Sequence, residues 1–415
     1  MRRHLREAGP SKITAKGLMQ RIAFLIGSGL SSSAGMPSTK DITDQVLSPG
    51  PENTGQPGHW QASESAAGDR EIGLDRILGF LRCLKQEVDR YYAGHPEHYT
   101  DYEDLYYAAS QIHDSERGEY DNPAILPFIE RIQTELRAQP GIGPDESEIS
   151  LQALAAAATR YIRDIVWQML IGKPERVDPM ASIKGACEDP QLQRIDLFSL
   201  NHDVVLERYM EAQGIAFTDG FDAPRQGIRY WNPDLFKSPD FHVRLFKLHG
   251  SVNWFRLHDD RYGEFIGIPV NWKYQAQLNV RPSTIHPAEG APLFLAGTFN
   301  KMLQYINDIY ADLHYQFRYT LREAQHLFVC GYSFGDKGIN TRIIEWMHQG
   351  DDKLMVVAHP DPEDLKLKAR PGIARHWESW QEQGKVCFLP KGIEEVSWEE
   401  IRQHCGSTPA GAGGT

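Results

Sequence analysis

The chain has few cysteines, and none of them is paired with another at short spacing. Five occur in 415 residues, at Cys83, Cys187, Cys330, Cys387 and Cys405. Zinc ribbons need cysteines in closely spaced pairs, and disulfide frameworks are typical of short secreted chains with many cysteines, so the sequence argues against both kinds of structure. It predicts no metal site, and scattered thiols favour a reducing, cytoplasmic location.

The sequence also lacks an excess of positive charge and any long apolar run. The formal net charge is −12, which argues against a protein that binds nucleic acid by itself, because neutralising phosphates needs a basic surface. No apolar run is long enough to span a bilayer. Basic residues precede the apolar run 22–26, but that run is short and begins late, so we do not expect a signal peptide.

What the sequence does contain is a series of short apolar runs that predict buried strands. They lie at residues 22–26, 195–200, 242–248, 293–296, 327–332, 354–358 and 386–389. Predicted helices separate or follow the later runs, notably 204–213, 303–324, 340–349 and 398–404. Strands that alternate with helices indicate an α/β fold built on a Rossmann-like, doubly wound parallel sheet.

A large helical insertion separates the first two predicted strands. Apolar residues recur at helical spacing in 102–112, in 124–136 and along a stripe from 151 to 169. Compact sequences of this length form two domains or one domain with an insertion. The predicted parts are a discontinuous sheet domain (21–45 and 191–405), a helical insertion (46–190) with a flexible loop near 48–69, an N-terminal arm (1–20) and a disordered tail (406–415).

A run rich in glycine and serine follows the first predicted strand. It has the sequence GSGLSSSAGMP, and a predicted helix follows at 41–47. Small side chains let backbone N–H groups approach phosphate oxygens, but Ser32 stands where the common dinucleotide fingerprint has its third glycine. The residues fit either a phosphate site or a plain tight turn. The candidate binding residues are Gly27, Ser28, Gly29, Ser31, Gly35 and Pro37.

Polar residues also follow two other predicted strands. Asn201 and Asp203 come after the strand 195–200, either as ligand-binding residues or as an N-cap pair for the next helix. His249 follows the strand 242–248, either as a general base or as a structural histidine. Because ligands bind beyond the carboxyl ends of the strands in open α/β sheets, all three are candidates for a functional site.

Two more strand ends carry polar residues. Gly331, Ser333 and Asp336 lie in a second glycine-rich turn, which suits a ribose or a phosphate. His359 and Asp361 follow the strand 354–358 and form a weaker candidate for the same purpose.

These motifs, in this order, resemble those of the sirtuin superfamily. The run GSGLSSSAGMP resembles the sirtuin nucleotide loop, and Asn201-His202-Asp203 resembles the sirtuin Asn-Ile-Asp motif. His249-Gly250 is similar to the catalytic His-Gly pair, and Gly331-Tyr332-Ser333 to a Gly-Thr-Ser motif. The resemblance covers the predicted sheet domain and leaves the helical insertion unmatched.

The chain departs from the sirtuin deacylases at informative positions. Deacylases carry a zinc ribbon, which this chain lacks. Their nucleotide loop continues with Asp-Phe-Arg, whose Phe covers the reactive ribose, whereas this chain has Ser38-Thr39-Lys40 there. Leu200 also stands before Asn201 where deacylases usually have a Gln. The stretches FSLNHDVVLERY, KLHGSVNWF and VCGYSFGDKGIN look typical of the sirtuin-like effectors of bacterial antiphage defence, which hydrolyse NAD.

The resemblance implies a substrate and a reaction. NAD would be the substrate, no zinc would be needed, and the nicotinamide–ribose bond would break through an oxocarbenium-like ribose. His249 would act as general base, while Asn201 and Asp203 would hold the nicotinamide ribose and a water. Depletion of NAD would abort phage infection.

The resemblance also assigns residues to the rest of the nucleotide. Residues 27–31 would hold the pyrophosphate, and Ser333 with Gly331 would hold the adenosine side, close to Asp336. His359 or Asp361 would reach the adenine ribose.

An NAD hydrolase has to be restrained in its host, and the sequence shows no sensor domain beyond the insertion. We therefore expect control by assembly into a homo-oligomer or by a separate partner, for which a HerA-type hexameric ATPase is the closest analogy. Two other functions stay open. One is an NAD-dependent protein deacylase, and the other is a non-catalytic module that senses NAD or ADP-ribose.

Overall fold

A computed structural model gives the fold of the chain. It describes residues 21–49, 72–94, 99–119, 125–138, 142, 149–172, 174–176, 180–270, 285–288, 292–297 and 300–406. The predicted arm 1–20, nearly all of the predicted loop near 48–69 and the predicted tail beyond residue 406 lie outside these ranges. No helix in the described ranges has the length and apolarity that crossing a membrane requires.

The described residues form two sheets flanked by helices. The strands are β1 (Arg21–Ile26), β2 (Arg194–Ser199), β3 (Phe217–Thr218), β4 (Ile228–Tyr230), β5 (Val243–Lys247), β6 (Phe255–Asp259), β7 (Gly263–Pro269), β8 (Ile285–Pro287), β9 (His326–Cys330), β10 (Leu354–Ala358) and β11 (Val386–Leu389). The helices before β2 are α1 (Ser28–Ser33), α2 (Thr39–Leu47), α3 (Leu74–Tyr91), α4 (Tyr102–Glu116), α5 (Leu126–Arg137), α6 (Leu151–Leu170) and α7 (Ala181–Cys187). The later helices are α8 (Val205–Ala212), α9 (Asn300–Gln304), α10 (Asp308–Glu323), α11 (Lys337–Met347), α12 (Pro362–Lys368), α13 (Pro371–Ala374), α14 (Trp377–Glu382) and α15 (Trp398–Gly406).

The larger sheet has seven parallel strands in the order β11-β10-β9-β1-β2-β5-β3. Its central strand β1 is apolar and buried from Ile22 to Ile26, because a strand covered by helices on both faces needs apolar side chains on both. From β1 the chain adds strands first on one side and later, from β9, on the other. The predicted doubly wound parallel sheet is therefore confirmed, and its topological switch point lies between β1 and β9.

Alternate residues of β1 belong to two different layers. Ile22, Phe24 and Ile26 pack in one apolar cluster with residues of α3 to α7 and α15, whereas Ala23 and Leu25 pack with α10, α11, α13 and α14. Successive side chains of a strand point to opposite faces, so these two clusters are the two faces of the sheet. The helices between β1 and β2 thus cover one face of the sheet.

A second, antiparallel sheet in the order β4-β7-β6-β8 was not predicted. The predicted strand at 293–296 is wrong, because Phe294 makes one isolated bridge, to Gly250. Its neighbours still bond to the backbone after β5: Ser251 N–H donates to Leu293 O at 2.9 Å, and Leu295 N–H donates to His249 O at 2.8 Å. The segment therefore fixes the backbone around His249.

The predicted helix at 303–324 is two helices, α9 and α10. Asn307 is the N-cap of α10, and Asp308 has a φ of 51°, so the chain changes direction between the two helices. The predicted helices at 204–213, 340–349 and 398–404 correspond to α8, α11 and α15 with small shifts at their ends. The break before α10 has a consequence for the site, because it places Tyr305 outside a helix.

Candidate functional site

A cavity of about 330 Å³ opens at the carboxyl ends of β1, β2, β5 and β9, beside the switch point of the sheet. Most of the residues predicted from the strand ends line it. They are Gly27, Ser28, Ser31, Pro37, Asn201, Asp203, His249, Gly331, Ser333 and Asp336. Four separate stretches of sequence meet here because the carboxyl ends of parallel strands share one edge of the sheet.

Four predicted residues are not among those that line the cavity. Gly29 packs against the second glycine turn, and Gly35, with a φ of +83°, has Glu175 where a Cβ would stand. Asp361 caps α12 by accepting the N–H of Asp364 at 3.0 Å, and the His359 ring bonds to the backbone of Asp361. Each of these residues therefore has a local structural role.

The two glycine turns touch through their backbones. Gly27 N–H donates to Cys330 O and Gly29 N–H donates to Gly331 O, both at 3.0 Å. A Cβ on Gly27 would lie 2.4 Å from Gly331 O, and Gly331 itself has a φ of +63°. Glycine is required at these positions by the close approach, and the two N–H groups are already committed to the neighbouring turn.

The end of β2 is tied to the first glycine turn by a buried network. Ser31 Oγ donates to Asp203 Oδ2 at 2.6 Å, and Asn201 Nδ2 donates to Ser31 Oγ at 2.8 Å and to Gly27 O at 3.0 Å. The N-cap of α8 is Val204, which makes no side-chain cap bond, but Asp203 Oδ1 accepts the N–H of Val205 at 3.0 Å, so Asp203 keeps part of the capping role that the sequence allowed and Asn201 does not. The network fixes both side chains against the turn at the switch point.

A buried lysine supports this network from below. Lys247, at the end of β5, donates to the backbone oxygen of Asp203 and lies 3.3 Å from Glu207 Oε1. Burial raises the pKa of Glu207, although the charge of Lys247 opposes the rise. The backbone between Asn201 and α8 is therefore anchored by side chains of two elements, β5 and α8.

His249 stands where β5 ends, and its ring is engaged by two oxygens. Its Nε2 lies 3.0 Å from the Tyr305 hydroxyl and 3.2 Å from Asp336 Oδ2, and the Tyr305 hydroxyl donates to the same Oδ2 at 2.6 Å. The next residue, Gly250, has a φ of +77°, and a Cβ there would lie 2.3 Å from Leu293 O. The backbone turn therefore requires glycine, and it sets the direction of the His249 side chain.

The ionisation of Asp336 and Tyr305 follows from these contacts. Burial by itself would raise the pKa of Asp336, but hydrogen bonds from His249 and Tyr305 and the charge of the imidazole outweigh it and lower the pKa. Burial, and then the nearby charge of Asp336, raises the pKa of Tyr305. At neutral pH, Asp336 is a carboxylate and Tyr305 keeps its proton.

The opposite side of the cavity is formed by the first turn of α4 and by α9. Asp101, Glu103 and Asp104 line it, and Lys301 Nζ lies 2.7 and 2.8 Å from the two carboxylate oxygens of Glu103. Burial, followed by the charges of Glu103 and Asp104, raises the pKa of Asp101 to about 7. Among the described lining residues Lys301 carries the one full positive charge, so carboxylates dominate the cavity.

Sequence reasoning did not find this side of the cavity. The spacing of Asp101 and Asp104 is typical of a helix start, and the structure shows the reciprocal capping bonds. That pattern locates the beginning of α4 but does not say what the helix start faces. Lys301 and Tyr305 carry no sequence motif, and both lay in or next to a predicted helix.

The described residues contain no group of three or more His, Cys, Asp or Glu side chains placed to hold a metal ion. No protein-family model matches the chain, and no curated protein matches it. Among solved structures, a Sir2 homologue in complex with NAD has a TM-score of 0.34 at 12% identity and covers 92% of this chain and 89% of its own. A mutant Sir2 homologue with ADP-ribose also scores 0.34, at 12% identity, with 93% and 91% covered.

A third structure, of mutant Sir2 homologues with 2′-O-acetyl ADP-ribose, scores 0.34 at 11% identity and covers 94% of this chain and 95% of its own. Likenesses at this level support no correspondence between residues. The assignment of the fold to the doubly wound α/β class accordingly stands on the strand order and the parallel pairing of the large sheet.

Proposed function

We propose that this chain is an NAD hydrolase, which cleaves the nicotinamide–ribose bond and releases nicotinamide and ADP-ribose. The observation that carries the proposal is the meeting of His249, Asn201 and Asp203 with both glycine turns in one cavity at the switch point of the sheet. Open α/β sheets bind nucleotides at this place. The volume of about 330 Å³ is also within the range of small-molecule sites.

The charge in the cavity suits the reaction. As the bond to nicotinamide breaks, positive charge moves from the nicotinamide ring to the ribose, which becomes oxocarbenium-like. The carboxylate of Asp203 is fixed by a hydrogen bond from Ser31 before the reaction begins, so it stabilises that charge without reorganising. Water then adds to the anomeric carbon, its proton passes to His249, and nicotinamide leaves as a neutral molecule.

For the phosphates and the adenosine side, the proposed site keeps some of the residues assigned from the sequence and omits others. Ser28 and Ser333 lie on the two glycine turns, line the cavity and are exposed, which supports contacts with the phosphates and the adenosine side. We leave His359 and Asp361 out of the proposed site, because neither lines the cavity and Asp361 caps a helix.

We further propose that the reaction serves antiphage defence by depleting NAD in the cytoplasm. The support is the sequence resemblance alone, as it is for control by a homo-oligomer or by a HerA-type ATPase partner. The same resemblance supports the division into a sheet domain, 21–45 and 191–405, and an insertion, 46–190.

The test is turnover of NAD by the purified chain, alone and with a HerA-type ATPase, in the presence and absence of an acyl-lysine peptide. Nicotinamide and ADP-ribose in equal amounts, without a requirement for the peptide, are the expected products. Formation of acylated ADP-ribose would instead identify a deacylase. Binding of NAD without turnover under every condition would identify a sensing module.

A further inference from the structure

Asp336 was predicted from the sequence as a residue that binds the nucleotide, yet both of its carboxylate oxygens are engaged within the protein. Its Oδ1 accepts the N–H groups of Gly338 and Ile339 at 2.8 and 3.0 Å, and its Oδ2 faces Tyr305 and His249. We propose that Asp336 and Tyr305 are positioning residues, which hold the imidazole of His249 with a proton on Nε2 and provide its counter-charge during hydrolysis.

The proton of the neutral His249 imidazole lies on Nε2, because the groups around Nε2 are acceptors. The Tyr305 hydroxyl has one hydrogen, and it lies 2.6 Å from Asp336 Oδ2 but 3.0 Å from His249 Nε2, so it donates to the carboxylate. Both oxygens near Nε2 are then acceptors, and Nε2 can bond to them only as a donor. The proton taken from water therefore forms its bond with Nδ1, and the resulting imidazolium stands 3.2 Å from the carboxylate.

Asp336 cannot turn away from His249 without losing a helix cap. Its Oδ1 is the cap of the eleven-residue helix α11, whose N-terminus favours a negative charge. With Oδ1 held by the helix, Oδ2 has a fixed direction towards the imidazole. The helix therefore sets the orientation of the group that orients His249.

Tyr305 is also held on several sides. Its ring stacks on His314, with centroids 3.6 Å apart, and a Cβ on Gly338 would lie 2.6 Å from Tyr305 Cε2. Burial, and then the charge of His249, lowers the pKa of His314 to about 3, so His314 is neutral and its Nε2 donates to Leu248 O. A tyrosine fixed in this way acts as a rigid stop for the His249 ring.

The kinetic test uses Asp336→Asn and Tyr305→Phe, with Asp351→Asn and Tyr319→Phe as matched controls on exposed residues. Asparagine still caps a helix, so α11 should survive the first change. We expect kcat for nicotinamide release to fall about 100-fold in Asp336→Asn and about tenfold in Tyr305→Phe, with KM changed less than about threefold. Both controls should keep the kcat of the unmodified chain.

A second test, by NMR spectroscopy, does not depend on turnover. It measures the tautomer of His249 in the ligand-free chain labelled with ¹⁵N-histidine, and His249→Gln identifies which signal belongs to this residue. The expected result is the Nε2–H tautomer in the unmodified chain and in Tyr305→Phe, and a mixture of tautomers in Asp336→Asn. An Nδ1–H tautomer in the unmodified chain, or kcat values in Asp336→Asn and Tyr305→Phe equal to those of the controls, would overturn the inference.

The two proposals can fail separately. The kinetic part of the inference rests on the proposed hydrolysis of NAD, whereas the tautomer does not. If the unmodified chain released no nicotinamide under any condition, the proposed function would fail, and the tautomer in the three samples would still decide whether Asp336 holds the imidazole.

Discussion

The cavity has two sides that are built differently. The strand floor, formed by Gly27, Ser31, Asn201, Asp203 and His249, follows the ends of three strands, and its first four residues are hydrogen-bonded to one another. The helical wall is formed by Asp101, Glu103 and Lys301. Its two helices, α4 and α9, are joined by the carboxylate of Glu103 and the ammonium group of Lys301, and α9 has five residues. The floor is fixed by the sheet, whereas the wall depends on how two helices dock.

The largest effect is expected on the floor, from His249→Ala. Removing a general base should lower the rate of nicotinamide release by about a hundredfold to ten-thousandfold. Thermal unfolding should confirm that the variant folds, and His348→Ala, a change of an exposed histidine at the end of α11, should leave the rate unchanged. An unchanged rate of nicotinamide release in His249→Ala would show that this residue takes no part in the reaction, and the strand floor would then have no assigned chemical role.

Two glycines should respond to alanine substitution in opposite directions. A Cβ on Gly331 would lie 2.6 Å from the backbone nitrogen of Leu30, at a φ of +63°, so Gly331→Ala should lower the free energy of unfolding by about 1–3 kcal/mol. Gly79, in α3, has nothing within 4 Å of its Cβ position, and Gly79→Ala should raise that free energy by about 0.5–1 kcal/mol. Urea unfolding measures both, and equal effects would show that the two turns can move apart.

The smallest effect is expected on the wall, from Asp101→Asn. The pKa of Asp101 is raised from 3.8 to about 7 by burial and then by Glu103 and Asp104. Between pH 3.8 and about pH 7 the carboxyl ionises in the unfolded chain before it ionises in the folded chain. The free energy of unfolding therefore falls as pH rises to about 7, and it does not recover above that pH.

Asparagine has no charge and still caps α4, so Asp101→Asn should gain stability relative to the unmodified chain between pH 4 and pH 8. Unfolding by urea at several pH values measures the difference, with the exposed Asp351→Asn as control. A difference that does not change with pH would mean that the wall opens to water in solution.

The fold could be predicted where apolar runs have clear ends. The predicted strands at 354–358 and 386–389 coincide with β10 and β11, because each is a short apolar run between polar segments. The antiparallel sheet escaped prediction because β4 and β8 have three residues each and β7 contains glycines and a proline. The run at 293–296 is equally apolar, but it bonds to the loop after β5 and forms no strand.

The floor of the site could be predicted because the carboxyl ends of parallel strands must meet. The wall could not, since the direction of α4 is set by packing between apolar faces of several helices, where Leu105 and Ala109 are buried. Tyr305 was hidden inside a predicted helix that the structure breaks at Asn307. Asparagine is a common N-cap, so this residue was the one available sign that a new helix begins there.

The contact between the two glycine turns has a consequence for redesign. Gly27 and Gly331 meet as bare backbone, so at that point the base of the cavity offers no substituent that a mutation could resize or recharge without pushing the strands apart. Libraries intended to change which ligand the cavity accepts should therefore place their diversity on the helical wall, at Asp101, Glu103 and Lys301, and leave the glycines untouched.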